Sequence, residues 1–87
     1  MEEIGNTFKL YSLVSLKKDI PEYNLKKGDV GTLIDIVKHP EKEDGAVLEF
    51  FNALGDSIKV IAISILSIDN LHENEILSVR SLDKQVA

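Results

Sequence analysis

The chain has 87 residues, a formal net charge of −5 and no cysteine. A chain of this length forms one domain, and the absence of cysteine excludes disulfides, thiolate metal sites and cysteine nucleophiles. The acidic balance disfavours a protein whose main task is to hold nucleic-acid phosphates, because that binding depends on lysine and arginine. It permits an acidic partner for a basic protein.

The first strand is predicted over residues 9–17, after a loose end at 1–8. Apolar and polar residues alternate there with a period of two, which is typical of a half-buried strand. We expect the face that carries Val14 and Leu16 to point inward.

A loop over residues 21–27 is predicted to follow. Pro21 holds the preceding residue in an extended conformation, and Leu25 is the apolar residue expected to anchor the loop. Gly28 supplies the positive φ angle of a tight turn. The second strand is then expected over 29–37.

Gly31 has no side chain in the middle of that strand, which usually indicates a bulge or a close approach of another group. The charged segment 39–45 contains proline and glycine and is the expected tip of a hairpin. A third strand over 46–51 and a fourth that begins near Asp56 complete the alternating part of the chain.

Beyond Val60 the alternation of the fourth strand is lost, because apolar residues within 60–66 occupy both faces. Residues 67–71 predict one 3₁₀ turn with Leu71 in the core. A short last strand is expected within 75–80, and a frayed tail over 81–87. Five short strands with tight connections predict an all-β fold, a five-stranded SH3-like barrel that is mostly antiparallel and spans residues 9–80.

Residues 18–32, Lys-Asp-Ile-Pro-Glu-Tyr-Asn-Leu followed by Lys-Lys-Gly-Asp-Val-Gly-Thr, resemble a bacterial family of unknown function, DUF4926. The resemblance covers about residues 10–72 and includes Leu-Glu-Phe-Phe and the turn with Gly55. It implies a small SH3-like barrel in a bacterial, cytoplasmic setting. It implies no activity, since none is assigned to the family.

Cytoplasmic placement is also expected from the chain itself. The acidic start, Met1-Glu2-Glu3, lacks the apolar run of a signal peptide. The longest apolar-rich run, 60–68, is much shorter than the roughly 20 residues that span a bilayer.

No catalytic residue, metal ligand or cofactor site is predicted. The two clusters that suggest such chemistry lack ligand spacing or a pocket-forming context, and each is typical of a solvated loop. They are His39 with Glu41, Glu43 and Asp44, and His72 with Glu73 and Glu75.

The apolar run therefore carries the main functional hypothesis. Either the following turn covers it, or Ile61, Ile63 and Ile65 form an interface with another protein or a second copy of the chain. The leading interpretation is a non-catalytic protein-binding module, an acidic partner of a basic protein in the manner of an antitoxin or immunity protein.

The alternative is a nucleic-acid-binding barrel of the KOW-like kind. Four lysines flank the first loop and form its candidate basic edge, with Tyr11 or Tyr23 available for base stacking. These lysines are Lys17, Lys18, Lys26 and Lys27. Lysines of this kind also keep a sheet edge soluble and unpaired, and the net charge of −5 favours that simpler role.

Overall fold

The computed structural model describes residues 8–82, and five strands in this range form one antiparallel sheet with the order β4-β3-β2-β1-β5. The strands are β1 (Leu13–Leu16), β2 (Val30–Val37), β3 (Gly45–Phe51), β4 (Ser57–Ser64) and β5 (Ile68–Asn70). The expected all-β, five-stranded architecture is confirmed, including a 3₁₀ turn before the last strand. The barrel is loose, because β4 and β5 are the two edges of the sheet and the sheet is not closed.

The core lies on one face of this sheet and follows the strand alternation. Val14 and Leu16 of β1 are buried, as predicted. In the centre, Leu48 of β3 lies opposite Leu33 of β2 on one side and Ile61 of β4 on the other. Such cross-strand pairs of apolar side chains are the units that stabilise a sheet. The remaining buried apolar residues are Ile20, Leu25, Ala46, Phe50, Ile65 and Ile68.

Gly31 marks a close approach, as its position in the strand predicted. It is buried in β2, and a Cβ atom built on it would lie 2.9 Å from the ring of Phe50. The register of β2 shifts further along, between Leu33 and Asp35. Because of this bulge Ile36 packs against the core, whereas Asp35 is exposed.

The loop between β1 and β2 is built as the sequence predicted. Pro21 opens a 3₁₀ turn, Pro21–Tyr23. Leu25 is buried and forms a backbone bridge with Ile20, which ties the loop to the core. Gly28 has a φ of 94°, a conformation that residues with a side chain rarely adopt.

The first strand is shorter than predicted, because a turn precedes it. Tyr11 has a positive φ of 69°, and the hydroxyl of Ser12 donates a hydrogen bond to the carbonyl of Lys9 at 2.7 Å. The expected loose ends, 1–8 and 81–87, lie outside the described residues except for 8, 81 and 82. Of these, Phe8 packs against the core.

The last strand is not at 75–80 but immediately after the 3₁₀ turn, which is Ile65–Ser67 rather than 67–71. The hydroxyl of Ser64 accepts the N–H of Leu66 and so begins this turn earlier than expected. Ile68 then pairs with Leu16 of β1 and is buried. This long-range pairing makes 68–70 a strand, and it leaves Leu71 half-buried outside the main core.

Residues 71–82 contain no strand or helix and are called here the C-terminal strap. The strap crosses beside the β1–β2 turn, where the guanidinium of Arg80 donates to the carboxylate of Asp29. No helix within 8–82 is long and apolar enough to cross a membrane.

Candidate functional site

The outer edge of β4 is the candidate site. The N–H of Ile65 donates to the carbonyl of Asp44 at 2.9 Å, so these two residues form a hydrogen-bonded pair that continues the pairing of β3 and β4. This pair shows which residues of β4 direct their backbone groups toward β3. Residues directly opposite each other in an antiparallel pair alternate between bonded and non-bonded. The backbone N–H and C=O groups of Val60 and Ala62 therefore point away from β3, and no strand of residues 8–82 pairs with them.

The side chains along this edge are mostly apolar. Ile58 is 44% exposed and Val60 is 55% exposed, and Leu66 in the following turn is 57% exposed. Lys59 is the single charged residue among the eight of β4. Exposed edges are usually protected against pairing by several charges, by proline or by a covering segment. This edge has one charge and eight residues of length, so it is suited to accept another strand.

The side chains of the three isoleucines expected to form an interface point toward the core instead. Ile61 and Ile65 are buried in the core, and Ile63 is half-buried and packs against it. Successive strand residues point to opposite faces, so Val60 and Ala62 are the exposed residues of the same run. The run is thus covered internally at the isoleucines and exposed between them. The apolar run alone does not show which of its residues face the core. The register of β4 against β3 decides that, and a local pattern does not contain it.

Acidic groups lie at the end of the edge where β4 leads into the 3₁₀ turn. Glu43 and Ser64 line a shallow concavity of about 290 Å³. The pKa of Glu43 is lowered by a hydrogen bond from its own backbone N–H and by one from the hydroxyl of Ser64. Asp44 forms an ion pair with Lys38 at 3.3 Å. The lowered pKa of Glu43 keeps this carboxylate ionised at neutral pH.

The two loop clusters considered for chemistry remain at the surface. His39, Glu43 and Asp44 line the same concavity, but no group of three or more potential ligands in residues 8–82 is arranged to hold a metal ion. His72 lies 3.9 Å from Asp69, and both side chains are more than half exposed. Neither cluster is enclosed in the way that acid–base catalysis requires.

The structure brings the four lysines of the candidate basic edge to one end of the β1–β2 hairpin. The N–H of Gly28 donates to the carbonyl of Leu16 at 2.9 Å, so the residues that follow β1 lie beside those that precede β2. Lys17, Lys18, Lys26 and Lys27 are all exposed there.

Tyr11 lies away from these lysines, and Tyr23 is partly covered. Tyr11 is exposed, but its N–H bonds to Leu33 at the opposite end of β1. Tyr23 is half-buried and packs against the core. The carboxylate of Asp19, which accepts the N–H of Lys27 at 2.8 Å, also offsets part of the positive charge.

Comparison with curated proteins and with solved structures found no match for this chain. One family model, Domain of unknown function (DUF4926), matches residues 10–68. The matched region contains the β1–β2 loop and all of β4, and it ends before the C-terminal strap. Because the match spans most of the chain and agrees with the resemblance of residues 18–32, the chain belongs to the family Domain of unknown function (DUF4926).

Proposed function

We propose that the chain is a non-catalytic protein-binding module of the bacterial cytoplasm, which binds an extended segment of a basic protein, or a second copy of itself, along β4. The observation that carries this proposal is the edge of β4, eight residues long, with backbone groups that no described strand pairs. Strand addition at such an edge uses main-chain hydrogen bonds for affinity and side-chain contacts for specificity.

The side chains around β4 support a basic partner. Ile58 and Val60 offer apolar contacts along the strand. Glu43 and Asp44 lie at one end of the strand, and the whole chain carries a net charge of −5. Complementary charge speeds association and selects partners more than it raises affinity. An acidic module that covers a basic protein, as an antitoxin or immunity protein does, fits this combination.

The test is a charge placed on the edge. Val60→Lys introduces a lysine at an exposed position, opposite Glu49 of β3, and leaves the core unchanged. Val37→Lys is the matched control, because Val37 is also exposed but lies on β2. The wild-type chain and both variants are used to capture proteins from the native host, and their molar masses are measured by light scattering.

We expect one basic protein to be retained by the wild-type chain and by Val37→Lys but not by Val60→Lys. If the partner is a second copy, the wild-type chain and Val37→Lys will be dimers and Val60→Lys a monomer. A monomer with equal capture by all three chains would contradict binding along β4.

The second candidate function is nucleic-acid binding by the exposed lysine cluster at the end of the β1–β2 hairpin. The observation that favours it is the convergence of Lys17 and Lys18 with Lys26 and Lys27. Binding of this kind weakens steeply as salt is raised. A titration with single-stranded RNA and DNA decides it: binding at low salt that is lost in Lys26→Glu supports this function, and no binding at low salt removes it.

A further inference from the structure

A groove of about 820 Å³ separates the C-terminal strap from the outer face of the sheet. Its sheet side is largely apolar and includes Leu13, Val30 and Phe51. Leu13 and Phe51 are 46% and 45% exposed even with the strap present. The strap thus lies over an apolar surface that it covers incompletely.

Arg80 makes the polar contacts that anchor the strap in this place. Nε of Arg80 donates to Oδ1 of Asp29 at 2.9 Å, Nη2 donates to Oδ2, and Nη2 also donates to the carbonyl of Asn24 at 3.3 Å. A two-pronged bond between guanidinium and carboxylate combines charge with directional specificity. Asp29 is also fixed from its own turn, because it accepts the N–H of Lys26 at 2.8 Å.

Apolar contacts hold the strap unevenly, because Leu82 is only 37% exposed whereas Ile76 and Val79 are each 91% exposed. No residue of the strap pairs with a strand of the described sheet. Asp29 and the sheet side of the groove lie within residues 10–68, which the family model matches, whereas the strap follows that region.

We propose that this groove is a second binding site, separate from the edge of β4, for an extended segment of a partner protein that carries apolar residues and one arginine directed at Asp29. The strap occupies the groove in the absence of the partner and is displaced by it. The strap itself supplies the argument for this occupant, since it places apolar residues such as Leu77 and Leu82 along the groove and is anchored by Arg80. The carboxylate of Asp29, which lines the groove, favours a cationic side chain in any segment that replaces the strap.

The first test measures how firmly the strap is held in the full chain. Trypsin cleaves after Arg80, and cleavage in a rapidly opening segment follows the population of the open state. Asp29→Asn removes the charge but keeps an oxygen to accept the N–H of Lys26. Asp19→Asn is the matched control, because it removes an equal charge from the same loop at a residue that holds Lys27 and not the strap.

We expect Asp29→Asn to be cleaved between Arg80 and Ser81 on the order of tenfold faster than the wild-type chain, because a charge-assisted bond is lost. Asp19→Asn should be cleaved at this bond at the wild-type rate. Equal rates in all three chains would show that the ion pair does not hold the strap and would overturn the proposal.

The second test uses a fluorescent peptide of residues 71–82 as the probe. It is titrated against full-length Arg80→Ala, in which the strap is released and Asp29 is retained. We expect this variant to bind the peptide on the order of tenfold more tightly than the wild-type chain, whose own strap competes. The double variant with Asp29→Asn should not bind it.

A peptide in which Arg80 is replaced by alanine should fail to bind. Equal binding of both peptides, or no binding to Arg80→Ala, would overturn the proposal. Peptide binding should be unchanged when Val60→Lys is added to Arg80→Ala. This control separates the two proposals, because it changes the β4 edge and leaves the groove intact.

Discussion

The carboxylate of Asp29 connects two distant parts of the chain. It accepts the N–H of Lys26 within its own turn and the guanidinium of Arg80 from the strap, 51 residues later. Burial of the carboxylate opposes its ionisation, but the hydrogen bonds from Arg80 and Lys26, with the charges of both residues, outweigh that effect. The pKa of Asp29 is therefore lowered from its ordinary value of 3.8.

This lowered pKa predicts a pH-dependent contribution to stability. A carboxyl group with a lower pKa in the folded state stabilises the fold above its unfolded pKa, and the contribution is lost as the pH falls through the folded pKa. We expect Asp29→Asn to reduce the free energy of unfolding by about 1–2 kcal/mol at neutral pH. The difference from the wild-type chain should disappear as the pH falls below 3.8. Urea unfolding across this pH range measures it, and a difference that persists in acid would contradict the assignment.

The residues of the β1–β2 loop were predictable because their roles are local. Gly28 needs a positive φ and Pro21 a fixed one, and both requirements are visible in the residue type. The partner of Asp29 was not predictable, because nothing in the sequence near Arg80 indicates which distant carboxylate it meets. The same limit applies to Gly31, whose close approach was expected but whose neighbour, Phe50, comes from another strand.

Among the elements, the loop between β1 and β2 depends on one apolar side chain. Leu25 is buried and its backbone bonds to Ile20, whereas the residues between them are half-buried or exposed. We expect Leu25→Ala to lower the free energy of unfolding by about 2–4 kcal/mol, because it leaves a cavity beneath the loop. Leu54→Ala, at a leucine that is 87% exposed, is the control and should change it by less than about 0.5 kcal/mol. Thermal melting of both variants checks this, and similar melting temperatures would mean that the loop is not anchored by Leu25.

The central strands were easier to predict than the outer ones. The pattern of β2 and β3 is a regular alternation that survives in the structure apart from one bulge. The last strand depends on the pairing of Ile68 with Leu16, which a local pattern does not contain. The exposed residues of the candidate site were not predicted for a related reason. The sequence identifies the apolar run, but the register of β4 against β3 determines which of its residues face outward.

At the scale of the whole molecule, the open sheet implies that stability decreases from the centre to the edges. β3 lies between β2 and β4 and contributes three buried side chains, whereas β5 has three residues and pairs only with β1 in the described sheet. An edge strand of this length can open without disturbing the central pairs, because local opening costs less free energy than global unfolding. Opening of β5 would also release the start of the strap at Leu71, while the Arg80–Asp29 contact holds its far end.

Hydrogen–deuterium exchange tests this gradient. We expect amides within 45–51 to exchange at least about tenfold more slowly than amides within 68–70, since the former exchange only when most of the sheet unfolds. Asp29→Asn should speed exchange in the strap and in 68–70 but leave 45–51 almost unchanged, because releasing the strap removes a constraint near β5 and not in the centre. Equal protection of both segments would mean that the sheet opens as a single unit and would contradict this gradient.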